Sequence, residues 1–173
     1  LPVPGSTAVG DPSVIGGTEG SGAVYFDGDG DGISLGNPNS LDITEEITLS
    51  AWIKPTAQQN SGWGRIISRT NGSTAEDWGM VISATNQLDC RVGSKNARSS
   101  ANVISNNEWQ HVVCTYDGSR ISAYVDGNEV ASRSTSGSLR TDNQVSIGYN
   151  FTGGSTRHFV GVIDDVRVYD QAL

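Results

Sequence analysis

The chain has 173 residues and lacks long apolar runs, and basic residues are scarce. No stretch approaches the roughly 20 apolar residues needed to cross a bilayer, and the N-terminus has neither the charged nor the apolar region of a signal peptide. Eleven basic residues against 19 acidic ones leave a net charge of -8. This balance argues against nucleic acid or an anionic membrane surface as the partner.

Cysteine and histidine are also scarce, with two residues of each. Cys90 and Cys114 match no zinc-binding spacing, and a disulfide between them is the favoured prediction. His111 and His158 stand far apart in strand-like segments without Cys or His partners, which indicates structural roles. A zinc centre and a His-activated nucleophile are therefore not expected.

Helical periodicity is missing as well, since no window combines an apolar helical period with capping residues. Short alternating segments recur instead, and residues 47–55 and 99–104 are among those predicted to be strands. Glycine is abundant at 22 residues, and Asn-Gly, Asp-Gly and Gly-Gly pairs separate the segments. About a dozen strands are too many for one open sheet, so two packed antiparallel sheets are predicted.

Residues 1–22 differ from the remainder in being rich in Pro, Gly, Ser and Thr. This composition predicts a linker-like N-terminal segment at 1–22, followed by a single domain at 23–173. The chain is accordingly expected to be a piece of a longer protein.

Three aspartates alternate with glycine in FDGDGDG, at positions 27, 29 and 31. Ca²⁺ takes oxygen ligands from carboxylates and carbonyls, and glycine allows the left-handed backbone angles that turn carbonyls inward. Pro38 stands where an EF-hand loop needs a glutamate, so the stretch is not an EF-hand. A polar hairpin that binds its own backbone is the alternative, although three like charges so close together repel one another without a cation.

Five motifs follow in order: the aspartate stretch, ITLSAWIKP at 47–55, EWQHVVCTYDGSRISAYVDGNEV at 108–130, SIG at 146–148 and GVIDDVRVYDQAL at 161–173. Together they resemble the bacterial laminin-G-like domains of the concanavalin A-like lectin and glucanase superfamily. The resemblance spans about residues 22–173 and implies an all-β jelly-roll sandwich of two curved antiparallel sheets, with the first and last strands adjacent.

The same resemblance implies a structural calcium ion where the first and last strands meet. The expected metal ligands are Asp27, Asp29, Asp31 and Asp165, with Asp27 and Asp165 as the best-supported pair. Such an ion would stabilise the fold rather than take part in chemistry, because no nucleophile or general base for an activated water is evident nearby.

The tryptophans form two groups. Trp52 and Trp109 occupy strand positions that the family repeats, which indicates packing, whereas Trp63 and Trp78 stand beside glycine at loop–strand junctions. Strand alternation points several polar and aromatic side chains away from the core. The aromatic rings can stack on a sugar ring, and the polar side chains can donate hydrogen bonds to its hydroxyl or carboxylate oxygens. The predicted ligand-binding set is Trp63, Trp78, Tyr124, Asp89, Arg91 and Arg98. A solvated face with scattered aromatics is the alternative.

Catalysis is not expected. Retaining glucanases of the superfamily place alternating carboxylates on one strand, whereas the adjacent Asp164 and Asp165 would face opposite sides of the sheet. The resemblance instead implies a non-catalytic carbohydrate-binding module of a larger secreted, polysaccharide-active protein. Its partner would be a polysaccharide or oligosaccharide, and the arginines suggest an anionic one. The alternative is a non-catalytic spacer or adhesion domain that contacts protein.

Overall fold

A computed structural model describes residues 6–18, 20, 22–59, 62–70, 76–150 and 157–173. In this part of the chain fourteen strands form two antiparallel sheets, each of seven strands. A 3₁₀ turn spans Asn39–Leu41, and no helix within the described ranges is long and apolar enough to cross a membrane. The predicted all-β jelly-roll sandwich is confirmed.

The strands in chain order are β1 (Thr7–Val9), β2 (Ser13–Ile15), β3 (Ala23–Phe26), β4 (Gly32–Gly36), β5 (Ile47–Pro55), β6 (Trp63–Arg69), β7 (Glu76–Ser83), β8 (Leu88–Gly93), β9 (Lys95–Arg98), β10 (Gln110–Tyr116), β11 (Arg120–Val125), β12 (Asn128–Ser134), β13 (Val145–Ile147) and β14 (Gly161–Tyr169). Sheet A has the order β1-β4-β13-β6-β7-β8-β9, and sheet B has the order β12-β11-β10-β5-β14-β3-β2.

The core lies between the two sheets and follows the period-2 alternation of the strands. In β5 the side chains of Ile47, Leu49, Ala51 and Ile53 are buried in it, whereas Trp52 lies on the opposite face and is half-buried. Burying one large aliphatic side chain stabilises the fold by about 1.5–3 kcal/mol. Repeated in strand after strand, this burial selects the sandwich and fixes the register of each strand.

A disulfide connects the two sheets, as favoured from the sequence. Cys90 of β8 in sheet A is bonded to Cys114 of β10 in sheet B, with the Cα atoms 5.5 Å apart. Both residues are buried in the core. The covalent link therefore crosses the apolar interior rather than closing a surface loop.

The expected pairing of the first and last strands of the domain is confirmed in sheet B. β14 pairs antiparallel with β3, and Gly161 is opposite Phe26 while Ile163 is opposite Val24. On its other side β14 pairs with β5, so that the C-terminal strand lies inside the sheet rather than at its edge.

The N-terminal segment differs from the linker-like expectation, because two short strands within residues 1–22 add to the sandwich. β1 pairs with β4 at the edge of sheet A, and β2 pairs with β3 at the edge of sheet B. Thr18 further donates backbone and hydroxyl hydrogen bonds to Asp164 of β14. The boundary at residue 23 remains a proposal.

Candidate functional site

The outer face of sheet A, which points away from the core, carries a continuous row of small and polar residues. Residues directly opposite one another in an antiparallel pair share a face, and the register connects six strands through such pairs. The row consists of Ser34, Ser146, Ser68, Gly79, Arg91 and Asn96. A parallel row one step along the strands consists of Arg65, Val81, Asp89 and Arg98.

Five charged side chains on this face form what we call the arginine–carboxylate cluster: Arg65, Glu76, Asp89, Arg91 and Arg98. Glu76 Oε1 accepts hydrogen bonds from Arg65 Nη1 and, at 2.8 Å, from Arg91 Nη1. Asp89 Oδ2 accepts from Arg91 Nε at 2.8 Å and from Arg98 Nη2 at 3.0 Å. The cluster is a chain of ion pairs that crosses strands β6 to β9.

Three of the five members of the cluster are buried although they lie on an outer face. Arg65 and Asp89 are 0% exposed and Glu76 is 2% exposed. Burial lowers the pKa of the Arg65 guanidinium, and the charges of Arg91 and Arg157 lower it further, while Glu76 opposes the shift. Burial also acts to lower the pKa of Arg91, but Glu76 and Asp89 outweigh it and the net shift is upward. Glu76 therefore counteracts the effect of burial at Arg65, and together with Asp89 it outweighs that effect at Arg91.

Trp63, at the start of β6, lies against the solvent side of this cluster. The guanidinium carbons of Arg91 and Arg98 are 4.4 and 4.6 Å from the centre of its ring, within the range of cation–π attraction. Trp63 itself is half-buried, and the Arg98 side chain is 38% exposed. A half-buried aromatic ring and a partly exposed arginine thus lie together on this face.

The structure brings together four of the six predicted ligand-binding residues: Trp63, Asp89, Arg91 and Arg98. Asp89 faces outward as alternation predicted, yet its carboxylate is fully enclosed by its arginine partners and by Asn96, whose amide donates to it at 2.6 Å. It can position the arginines but cannot contact a ligand directly.

The interpretation of Trp78 as an exposed ligand-stacking residue is wrong. Trp78 is 0% exposed and belongs to the core cluster, because in β7 it shares the inward face with Met80 and Ile82. The glycine beside it marks close packing within the sheet rather than a loop. Tyr124 is half-buried on the outer face of sheet B, which separates it from the other predicted residues by the full thickness of the sandwich.

Sequence reasoning missed Arg65 and Glu76, the two most deeply buried partners in the cluster after Asp89. Arg65 follows the strand start in WGRIISR, and Glu76 opens the next strand. For Arg65 the available signal was a charged residue directly before the apolar pair Ile66 and Ile67, which requires an ionic partner if the strand is buried. Glu76, which precedes Asp77, had no such signal. The register that supplies this partner depends on an irregularity between β6 and β7 and is not visible in the sequence.

A second cluster of interest is acidic and lies where β1, β3 and β4 meet. Carboxylate oxygens of Asp11, Asp27 and Asp31 all lie within 4.8 Å of one another. Asp31 is 2% exposed, and its two oxygens accept hydrogen bonds from the backbone N–H groups of Asp11, at 2.8 Å, and Asp27, at 3.1 Å. Gly28 and Gly30 have positive φ angles of 88° and 89°, as expected for the glycines of this loop.

The structure therefore revises the expected metal ligands. Asp165 does not join the group, because the antiparallel register places it beyond the Ala23 end of β3, whereas Asp27 follows Phe26 at the other end. Its carboxylate is paired with Arg167 at 2.8 Å. The Asp29 backbone N–H donates to Asp27 Oδ1, so Asp29 supports the loop, and Asp11 from the N-terminal segment supplies the third carboxylate.

A separate concavity of about 400 Å³ opens at one end of the sandwich. Its lining residues are Thr44, Glu45, Glu46, Asp117, Gly118, Gly137 and Ser138. The lining is acidic and has no aromatic side chain, which makes it a poorer platform for a sugar ring than the Trp63 surface.

Comparison with solved structures relates this geometry to known domains. Domain 4 of AbnA, an extracellular GH43 arabinanase from Geobacillus stearothermophilus solved in complex with arabinotriose, superposes with a TM-score of 0.76 at 20% identity, covering 97% of this chain and 83% of that chain. Domains LG4-5 of the mouse laminin alpha1 chain superpose with a TM-score of 0.67 at 18% identity, covering 87% of this chain and 42% of that chain.

At the sequence level, adhesion G-protein coupled receptor V1 of Danio rerio is 26% identical over 143 residues, which cover 76% of this chain but 2% of the receptor. The Laminin_G_3 family model, described as concanavalin A-like lectin/glucanases superfamily, matches residues 26–173. These residues include both sheets apart from β1, β2 and most of β3. The chain belongs to the Laminin_G_3 family of the concanavalin A-like lectin/glucanases superfamily.

Proposed function

We propose that the domain is a non-catalytic carbohydrate-binding module that holds a polysaccharide or oligosaccharide on the outer face of sheet A. The observation that carries the proposal is the contact of Trp63 with Arg91 and Arg98. A partly exposed aromatic plane can stack on the C–H face of a pyranose, and an arginine fork donates to hydroxyl or carboxylate oxygens. The arabinotriose bound to domain 4 of AbnA supports a sugar as the ligand class.

The carboxylates on this face support binding rather than hydrolysis. A glycosidase needs one carboxylic acid and one carboxylate free to reach the scissile bond. Glu76 and Asp89 are instead fully enclosed and ion-paired with arginines. Through these ion pairs they hold the arginines in place.

We further propose that Asp11, Asp27 and Asp31 hold a structural calcium ion. The donor set fits this ion, because it consists of carboxylate oxygens within 4.8 Å of one another in a glycine-rich loop. Asp11 follows β1 of sheet A, Asp27 follows β3 of sheet B, and Asp31 precedes β4 of sheet A. The ion would link the edges of the two sheets and stabilise the sandwich.

The domain is proposed to occupy residues 23–173 of a longer, secreted protein. Domain 4 of AbnA belongs to an extracellular enzyme, and the chain spans only 2% of the length of the curated relative. A polysaccharide-active protein would gain from such a module, because a second binding site raises the effective substrate concentration at the first.

The second candidate function is a spacer or adhesion domain that contacts protein. It is favoured by β2, an edge strand of sheet B on which Val14 is 76% and Ile15 41% exposed. Exposed apolar side chains on an open edge are a surface that another chain can cover.

A pull-down with insoluble polysaccharides together with a glycan array tests the sugar proposal. The wild-type domain is compared with Trp63→Ala and with the matched control Trp52→Ala, which removes a half-buried tryptophan from the outer face of sheet B. Removing a stacking ring costs about 1–3 kcal/mol of binding, so Trp63→Ala should weaken retention at least several-fold. Trp52→Ala should retain the ligand.

Two outcomes contradict this assignment. If Trp52→Ala loses the ligand and Trp63→Ala keeps it, the sugar binds to sheet B. If the wild type is retained on no polysaccharide, the module hypothesis is abandoned in favour of the spacer. Circular dichroism and thermal melting of each variant separate loss of binding from loss of fold.

A further inference from the structure

The outer face of sheet A contains buried polar atoms with no hydrogen-bond partner. They are Nε and Nη2 of Arg65, Oγ of Ser68 and Oε2 of Glu76; both side-chain amide atoms of Asn150, three residues after the end of β13, likewise have no partner. All four residues are at least 97% buried. A buried polar group without a partner costs about 1–3 kcal/mol, so a set of this size calls for partner atoms, which water or a ligand can supply.

Glu76 Oε2 and the Ser68 side chain lie close to each other. Ser68 is directly opposite Gly79, and a Cβ at Gly79 would collide with Glu76 Oε2 and lie 3.1 Å from Ser68 Cβ. The absence of a side chain at Gly79 therefore makes room for the Glu76 carboxylate beside Ser68. Asn150 follows Gly148, whose N–H donates to the carbonyl of Ile66, the residue after Arg65.

The unpartnered atoms have a definite chemical character. Nε and Nη2 of one guanidinium form a planar donor pair, which matches the two oxygens of a carboxylate. Glu76 Oε2 is an acceptor and suits a hydroxyl donor. A ligand that carries a carboxylate and neighbouring hydroxyl groups would satisfy both.

The charge of this face supports the same ligand class. The arginine–carboxylate cluster contains three arginines and two carboxylates, and Arg157 lies near enough to Arg65 for the two charges to repel. This local excess of positive charge occurs in a chain whose net charge is -8. An anion on this face would relieve the repulsion among the arginines.

We infer that the outer face of sheet A binds a carboxylated sugar, with the ligand carboxylate on Nε and Nη2 of Arg65 and a ligand hydroxyl on Glu76 Oε2. The inference rests on the proposed carbohydrate binding and names the class of sugar. Arg65 is 0% exposed, so a ligand can reach its guanidinium only if neighbouring side chains move.

The test uses matched ligands that differ only in the carboxylate. Polygalacturonate, alginate, hyaluronan and polysialic acid are each compared with their carboxyl-reduced forms by titration calorimetry on the wild-type domain. A charge-assisted bidentate contact predicts that at least one acidic polymer binds about tenfold or more tighter than its reduced form. Its affinity should fall as salt is raised, and acetate at equal carboxylate concentration should not displace it.

Arg65→Lys keeps a cation beside Glu76 but removes the planar fork, so the acidic and reduced forms should then bind within about twofold of each other. Ser68→Ala is a second variant, which should reduce the affinity difference between the acidic and reduced polymers less than Arg65→Lys does. Arg120→Lys on sheet B is the control, and it should leave this affinity difference unchanged. If Arg65→Lys does not fold, the inference is tested by the wild-type domain with each ligand pair and by Ser68→Ala.

The failure modes are distinct. Equal or tighter binding of the reduced polymers, or displacement by acetate, overturns the inference while leaving carbohydrate binding intact. Binding of neutral polysaccharides alone does the same. Retention on no polymer of either kind contradicts the proposed function and the inference together.

Discussion

The two outer faces of the sandwich are built from the same alternating strands, yet they differ in what they expose. On sheet A, charged side chains such as Arg65 and Glu76 are buried in a chain of ion pairs. On sheet B, Arg120 and Glu129 form an ion pair whose side chains are 47% and 37% exposed. The half-buried ring of Trp52 lies beside that of His111, with 5.2 Å between the ring centroids.

This difference shows that alternation determines which way a side chain points, but not whether water reaches it. A surface pair such as Arg120–Glu129 keeps most of its hydration and contributes little to stability. A buried pair has lost that hydration, so each member depends on the other. The ion pairs between Arg65, Glu76 and Asp89 and their partners on the outer face of sheet A are therefore shielded from water, whereas the outer face of sheet B is an ordinary hydrated surface.

The largest expected effect comes from removing one charge from the buried cluster. Glu76→Gln leaves Arg65 buried without its counter-ion, which should destabilise the domain by about 3–5 kcal/mol. The matched change on sheet B, Glu129→Gln, should cost no more than about 1 kcal/mol. Urea unfolding followed by tryptophan fluorescence measures both.

Equal losses in the free energy of unfolding for Glu76→Gln and Glu129→Gln would contradict the distinction between the two faces. That result would mean that water hydrates the cluster despite its burial, and it would remove the basis for Arg65 as a pre-formed donor to a ligand.

The covalent link between the sheets should have the next largest effect. Reducing the Cys90–Cys114 bond, whose partners are 24 residues apart, should destabilise the domain by about 2–4 kcal/mol. Because the sequence has no other cysteine, reductant acts at this bond alone. Unfolding in urea with and without reductant measures the loss, and a Cys90→Ala, Cys114→Ala variant that no longer responds to reductant is the control.

How far the sequence predicts this molecule depends on whether a feature is local or long-range. The core face of β5 followed from alternation alone, and the β3–β14 pairing followed from the family resemblance. Residues 99–104, however, were predicted to be a strand and form turns, while the short strand β9 precedes them. Hydrogen-bond partners rather than residue preferences decide such short edge segments.

The site was predicted only in part, for the same reason. Trp63 and Arg91, which lie together in the structure, were named from local signals, a glycine-flanked ring and an outward strand position, and Arg98 was named because it follows one hairpin later. Glu76 and Asp11 had none, since their roles depend on which strand lies opposite or at the edge. Trp78 was misassigned because its neighbouring glycine looked like a loop boundary, whereas it lies inside β7.

Calcium bound by Asp11, Asp27 and Asp31 should stabilise the domain against unfolding, by an amount that depends on how fully the site is occupied. An ion at a hundred times its dissociation constant raises the free energy of unfolding by about 2.7 kcal/mol, so the melting temperature should fall when chelator replaces calcium. Asp11→Asn and Asp31→Asn should abolish this response, and Asp165→Asn should keep it. A response lost in Asp165→Asn alone would restore the ligand pair expected from the sequence.

The smallest expected effect lies at an exposed turn of sheet B, between β10 and β11. The hydroxyl and backbone N–H of Ser119 and the N–H of Arg120 donate to Asp117 Oδ1 and hold the pKa of this carboxyl below its ordinary value of 3.8. A carboxyl whose pKa is lower in the folded state than in the unfolded state stabilises the fold above pH 3.8 and loses that contribution as the pH falls below it.

Asp117→Asn keeps an acceptor oxygen but removes the titration, so the wild type and the variant should differ in stability at neutral pH and converge as the pH falls below about 4. Urea midpoints measured at intervals across this range provide the test. Because the turn is solvated, the difference should be far smaller than that caused by Glu76→Gln. A difference that grows on acidification would mean that the neighbours of Asp117 favour its protonated form, which would contradict the lowered pKa of this carboxyl.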